Sequence, residues 1–163
     1  MTAGLRGASA ESLAQLRQRL AGATDAARVG DDLFGVAALL RAEPSLRRIA
    51  TDAATDAAAK SGLVRSVLEG KVAAESLDLA GAAAGLRWTA SRDLADALEH
   101  LGVEAIVSSA GDAGRLEDEL FSVGQLVNDN HELRNALSDP ARSASDKAAL
   151  LTALLDGKAL PAT

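Results

Sequence analysis

The feature that most constrains this chain is that one stretch of it occurs twice. Asp31 to Ser76 aligns with Asp118 to Thr163 without a gap. Phe34 falls on Phe121, Leu46-Arg47 on Leu133-Arg134, Asp52 on Asp139, Lys60 on Lys147 and Leu63 on Leu150. Leu68-x-Gly70-Lys71 falls on Leu155-x-Gly157-Lys158, and most mismatches are soft, such as Asp32 to Glu119 and Leu40 to Val127. A repeat of this kind means that one supersecondary unit is used twice, so it decides the architecture before composition does.

Each copy reads as three short helices. Leu33, Val36, Ala37 and Leu40 sit at i, i+3, i+4 and i+7, and Leu120, Val123, Gly124 and Val127 repeat the stripe. The first stripe stops before Pro44, because a residue preceding proline is pushed out of helical geometry. A segment of about two turns follows, Ser45 to Thr51 or Glu132 to Ser138. Asp56 and Ser143 then stand at equivalent positions as N-caps, with Asp146 three residues after Ser143. The third helix carries Leu63, Val64, Val67 and Leu68, matched by Leu150, Leu151, Leu154 and Leu155. Gly70 and Gly157 supply its stop, and Lys71 and Lys158 follow near the negative helix end.

Outside the repeat, Met1 to Ala8 reads as a loose arm, and a helix from about Ser9 carries Leu13, Leu16 and Leu20. Ala21 to Asp25 breaks it, and the next helix starts near Ala26. After Gly70 a helix from about Glu75 to Arg87 has one face of Leu77, Ala80, Gly81, Ala84 and Trp88, with Trp88 at its end as a plug for the bundle. Small residues at that spacing let a second helix come close, either one of the chain's own or a partner's. Thr89 to Ser91 is a break. A longer helix then carries Leu94, Ala97, Leu98, Leu101 and Ala105, before the chain loosens at a hinge from Gly111 to Gly114.

Composition excludes several functions. A net charge of −6 with scattered basic residues disfavours nucleic acid, which needs clustered Lys and Arg. With no cysteine there is no disulfide, thiol nucleophile or cysteine-ligated zinc. The two histidines are far apart in sequence, and His131-Glu132 lacks the second histidine of a zinc-protease helix, so no metal site is expected. Gly70-Lys71 and Gly157-Lys158 fail as phosphate loops, since Arg65 and Val72, or Thr152 and Ala159, stand where glycine and Ser/Thr are required. No Gly-x-Ser-x-Gly elbow occurs, no secretory signal is read, and no segment is apolar enough to span a bilayer. No catalytic residue and no cofactor are expected.

Asp31-Asp-Leu-Phe34, Glu43-Pro-Ser-Leu-Arg47, Asp52, Lys60, Leu63 and Leu68-Glu-Gly-Lys71 resemble the delta subunit family of bacterial F-type ATP synthases, relatives of mitochondrial OSCP. Leu133-Arg-Asn-Ala-Leu-Ser-Asp-Pro140, Lys147-Ala-Ala-Leu-Leu151 and Leu155-Asp-Gly-Lys158 resemble that family's signature more closely still. Arg6 to Leu13, Arg87-Trp88 and Asp93 to Leu98 are similar to its longer bacterial form, in which the helical region is partly duplicated. The resemblance implies a noncatalytic, nucleotide-free stator part, peripheral at the cytoplasmic face of the membrane. It implies an N-terminal bundle that grips the N-terminal helices of the alpha subunits through its first and fifth helices. It also implies a C-terminal portion that meets the b subunit of the peripheral stalk.

The expected fold is therefore all-α: a six-helix bundle over 1–116, then an incomplete three-helix second copy over 117–163 of the unit at 31–76. The family's C-terminal domain is absent after Pro161-Ala-Thr163, which reads as truncation. The residues expected to bind the partner helix are Leu13, Leu16 and Leu20 on the first helix and Leu77, Ala80, Gly81 and Ala84 on the fifth. The competing expectation is a free-standing helical adaptor that takes an amphipathic helix from some other protein.

Overall fold

The computed structural model describes residues 4–163. Among them are nine α-helices and no strand: α1 Ala8–Leu20, α2 Ala26–Ala42, α3 Pro44–Ala50, α4 Ala57–Leu68, α5 Ala74–Gly85, α6 Ser91–Ser109, α7 Ala113–Asp129, α8 His131–Ser138 and α9 Ala144–Leu155. The arm expected over Met1 to Ala8 lies partly outside the described residues. The chain divides into two compact units between Ser109 and Ala110. That division lies ahead of residue 116, because Asp112 caps α7 and Leu116 is already inside its first turns.

The repeat is visible in the helix ends. α2 and α7 each have 17 residues, and α4 and α9 each have 12. The same local chemistry sets these ends in both places. Asp25 accepts from the Arg28 amide and Asp112 from the Arg115 amide, satisfying one of the free donors at each helix start. Asp56 accepts from the Ala58 and Ala59 amides, and Ser143 from that of Asp146. Pro44 opens α3, where its missing N–H costs nothing. Past α4 and α9, Gly70 and Gly157 take φ of 73° and 68°, and the Lys71 and Lys158 ammonium groups donate to the Val67 and Leu154 carbonyls.

A longer-range clamp also recurs. Asp32 Oδ2 accepts from the Ala73 amide at 2.9 Å and the Ser76 hydroxyl at 2.8 Å. Glu119 Oε2 accepts from the Leu160 amide and the Thr163 hydroxyl, each at 2.7 Å. Arg28 and Arg115 pair with these carboxylates from one turn earlier. Burial of Asp32 opposes its ionisation, but the Ala73 amide, the Ser76 hydroxyl and Arg28 together hold it below the ordinary carboxylate range. Glu119 is drawn down to about 2, first by the Thr163 hydroxyl and then by the Leu160 amide.

In the first unit α2 packs along α6 and α4 along α5, with α1 against both α5 and α6. Leu16, Leu33, Leu94, Leu98 and Leu101 are fully buried among many alanines. Small residues let α2 and α6 approach closely. A Cβ placed on Gly30 would lie 3.0 Å from the Gly102 carbonyl oxygen and 2.7 Å from Ile106 Cγ1. Gly30→Val is therefore expected to destabilise this unit by about 1–3 kcal/mol in urea unfolding. Glu117, the corresponding residue of α7, is exposed, and Glu117→Val is expected to carry no such penalty.

A buried polar knot ties α1 to the start of α6. Ser9 Oγ donates to Asp93 Oδ2 at 2.7 Å and accepts from the Thr89 amide at 2.8 Å, while Asp93 also takes the Ala90 amide. Each buried polar group here has a partner, as burial requires. Trp88 corrects one expectation. It does not end a helix, because α5 stops at Gly85; it lies in the link to α6 and folds back, its indole N–H donating to the Ala83 carbonyl at 2.9 Å.

The second unit, taken by itself, has a thin core. Among its described hydrophobic residues only Leu116 and Leu133 are buried, and α9 buries none. Leu120, Phe121, Leu126 and Leu154 are exposed. Among the described residues no helix is long and apolar enough to cross a membrane.

Candidate partner-binding site

The end of α1, the turn after it and the start of α5 enclose an open cleft of about 280 Å³. Arg19 and Leu20 come from α1, Gly22 and Ala23 from the turn, Val29 from α2, and Glu75, Asp78 and Leu79 from α5. The apolar floor is Leu20, Val29 and Leu79, and the rim carries one cation and two carboxylates. The turn lies between the end of α1 at Leu20 and the cap of α2 at Asp25, with Gly22 inside it. Glu75 then fastens it, accepting from the Thr24 amide at 3.0 Å, the Thr24 hydroxyl at 2.8 Å and the Asp25 amide at 3.3 Å. Those donors, the Thr24 amide foremost, hold the Glu75 carboxyl below its ordinary range. Asp78 is paired with Arg65 of α4, which crosses directly over Gly81.

The volume is small for a metabolite pocket, which typically measures about 300–1,000 Å³.

The residues expected to line such a groove fall in two groups. Leu13, Leu16, Ala80, Gly81 and Ala84 are buried in the bundle itself, Leu16 and Ala84 at 0 % exposure. The expectation that the stripe on α1 faces a partner is not met at Leu13 and Leu16, because α5 and α6 pack against that helix. Gly81 is small to let the Arg65 side chain pass: a Cβ there would lie 2.6 Å from Arg65 Nε. Leu20 and Leu77 are half-buried, and of these Leu20 lines the cleft. The pattern gave no reason to name Ala23, Val29, Glu75 or Leu79; the only signal was the break at Ala21 to Asp25.

Three relatives place the chain. It is 56 % identical over 165 residues to the ATP synthase subunit delta of Nocardioides sp. (strain ATCC BAA-499 / JS614), covering 98 % of this chain and 60 % of that protein. It is 42 % identical over 167 residues to that of Streptomyces griseus, covering 98 % of this chain and 62 % of the relative. It is 40 % identical over 167 residues to that of Nocardia farcinica, covering 100 % of this chain and 62 % of the relative. The chain belongs to the ATP synthase delta-subunit family. No family model matches it. This delta-family chain spans about 60 % of the length of the curated relatives it matches. The resemblance read from the doubled motifs and the relationship found by whole-chain comparison therefore agree.

Proposed function

We propose that this chain is the bundle-forming part of a noncatalytic stator subunit of the F-type ATP synthase. It would hold the catalytic head through the N-terminal helices of the alpha subunits while the rotor turns, so that proton flow drives ATP synthesis. The observation that carries the reading is the 56 % identity to a delta subunit over 98 % of the chain. In this reading the first unit is a six-helix bundle, and α7 to α9 are a partial second copy of α2 to α4. Contact with the b subunit of the peripheral stalk falls to the part of the longer relatives outside the matched 60 %. The assembly lies peripherally on the cytoplasmic face of the membrane.

The cleft between α1 and α5 is the seat for the alpha helix. Its apolar floor supports this, since an amphipathic helix presents anchors at i, i+3 and i+4. Its rim is mixed in charge, since Arg19 stands beside Glu75 and Asp78 and Asp78 is already paired with Arg65. Among the residues named from sequence, Leu20 keeps this role; Leu13, Leu16, Ala80, Gly81 and Ala84 support the seat from beneath, and Leu77 packs at the edge of the core.

Calorimetric titration of the chain with a peptide of the alpha-subunit N-terminus tests this. Saturable binding is expected. Leu20→Asp should weaken it at least tenfold, about 1.4 kcal/mol, by putting a charge on the apolar floor. Ile49→Asp, at an exposed position on α3, should leave it unchanged. Binding indifferent to Leu20→Asp would move the seat elsewhere. No binding by the folded chain would favour an adaptor for another helix.

A further inference from the structure

Two carboxylates tie the start of α5 to the start of α2, and they reach in opposite directions. Asp32 of α2 accepts from the Ala73 amide and the Ser76 hydroxyl, and Ala73 is the N-cap residue of α5. Glu75 of α5 accepts from the Thr24 amide and hydroxyl and from the amide of Asp25, the N-cap residue of α2. Each helix thus receives from the other the bond that a capping-box glutamate makes within a single helix. The bonds to Glu75 also complete the α1–α2 turn. The turn's own backbone bonds reach only as far as Ala23, whose amide donates to the Leu20 carbonyl at 2.9 Å. The next two amides, those of Thr24 and Asp25, go to Glu75.

Only one of the two ties recurs in the second copy. Glu119 stands in the place of Asp32 and makes the equivalent bonds to Leu160 and Thr163. In the same register Glu75 falls on Ala162 and Thr24 on Gly111, which offer neither a carboxylate nor a hydroxyl. The tie common to both copies belongs to the shared helical unit. The tie at Glu75 belongs to what the first unit adds to it, α1 and the turn that follows. Glu75 lines the cleft there with Leu20 and Ala23, whereas Thr24 does not line it.

We propose that Glu75 is the positioning residue of this cleft: it latches the α1–α2 turn to α5, so that Leu20 and Ala23 are in place beside Leu79 before a partner helix arrives. Its effect on partner binding rests on the reading of the cleft as the seat of the alpha-subunit helix. A turn already held needs no ordering on binding, so the latch raises affinity without touching the partner. Both oxygens are required. Oε1 takes the Thr24 hydroxyl and Oε2 the Asp25 amide, and a glutamine would turn its NH2 towards one of these donors. The same donors, the Thr24 amide foremost, favour the charged form and hold the carboxyl below the ordinary glutamate range. The latch is therefore intact above that range and is released as pH falls through the lowered value. The charged groups around it are Arg19 of α1, Asp25, the Arg28–Asp32 pair of α2, and Asp78 of α5, which Arg65 of α4 pairs.

NMR of the 163-residue chain, then calorimetric titration with a peptide of the alpha-subunit N-terminus, tests this, with Trp88 fluorescence confirming that each variant is folded. Without peptide, the Thr24 amide and the Leu20 and Leu79 methyl signals are expected to move together as pH falls. Glu75→Gln should displace these signals at neutral pH and abolish the titration of the Thr24 amide, whereas Asp78→Asn should leave that titration in place. With peptide, Glu75→Gln should weaken binding at least about fivefold. Thr24→Val should weaken it as well, although Thr24 does not line the cleft. The double variant should bind no worse than Glu75→Gln alone, because both changes break one latch. Methyl signals indifferent to Glu75→Gln would overturn the proposal whether or not the peptide binds. Binding unchanged by Glu75→Gln would overturn it too, and so would additive losses, which would make Glu75 a direct contact of the partner. Signals that follow Glu75 in a chain that binds no alpha-subunit peptide would uphold the latch and reject the alpha-subunit helix as the occupant of the cleft.

Discussion

Leu33→Ala is expected to cost the first unit about 2–5 kcal/mol, whereas Leu120→Ala should change stability by less than about 0.5 kcal/mol. The two leucines occupy the same position of the repeat, in helices of equal length with the same capping chemistry. Any intrinsic preference of the helix for alanine acts equally at both sites and cancels in the comparison. What remains is packing. Leu33 is 0 % exposed, in a helix packed along α6, so removing three carbons leaves a void that rigid neighbours cannot fill. Leu120 is 48 % exposed, and its truncation exposes little that water does not already touch. Urea unfolding followed by Trp88 fluorescence reads the first unit, because Trp88 is the only tryptophan and lies within it. Leu33→Ala should move that midpoint to lower urea. Leu120→Ala should leave both the fluorescence and the far-UV circular dichroism curves in place. A loss above about 2 kcal/mol at Leu120 would mean that its face is covered.

This contrast also marks where sequence reading stops. Helix positions, caps and stops were legible because they depend on residues three or four apart: Asp56 and its amides, Ser143 and Asp146, the glycines at 70 and 157. The repeat was legible because both copies use the same local signals. The cover of a helix is a different matter. Leu33 and Leu120 sit in equivalent stripes, and a stripe does not record whether its own chain or a partner buries it. The same ambiguity holds on α1 and α5. Leu13 and Leu16 form an amphipathic stripe on α1 that the chain's own α5 and α6 bury, and Gly81 serves an arginine from α4. The cleft was illegible for a related reason. Its residues come from the end of one helix, a turn and the start of another, and only Glu75 reaching back to Thr24 and Asp25 brings them together. The Gly30–Gly102 approach joins residues from two helices far apart in sequence, so no local pattern announces it.

Trp88→Ala is expected to destabilise the first unit by about 3–5 kcal/mol, the usual cost of deleting a large buried aromatic. Trp88 is 9 % exposed although it belongs to a link and to no helix. The link needs an anchor, since Leu86 to Ala90 has no helical ladder to hold it. Its fixed points are the indole bond to Ala83, the Ser12 hydroxyl donating to the Arg87 carbonyl at 2.7 Å, and the Thr89 amide donating to Ser9. Removing the ring takes away both a large apolar side chain of the core and one of those fixed points. Trp88→Phe separates the two contributions. It keeps most of the buried ring and loses only the indole donor, and the Ala83 carbonyl still accepts from the Leu86 amide at 3.2 Å. Its cost should therefore stay near about 1 kcal/mol. Far-UV circular dichroism in urea reads both variants, which have no tryptophan to follow. The effect should be confined to stability. The anchored link meets α1 at Ser9 and Ser12, at the opposite end from Arg19 and Leu20, which border the cleft. Trp88→Phe is accordingly expected to bind the alpha-subunit peptide as the unaltered chain does, and a tenfold loss of binding in that variant would place Trp88 in the recognition surface instead of the core.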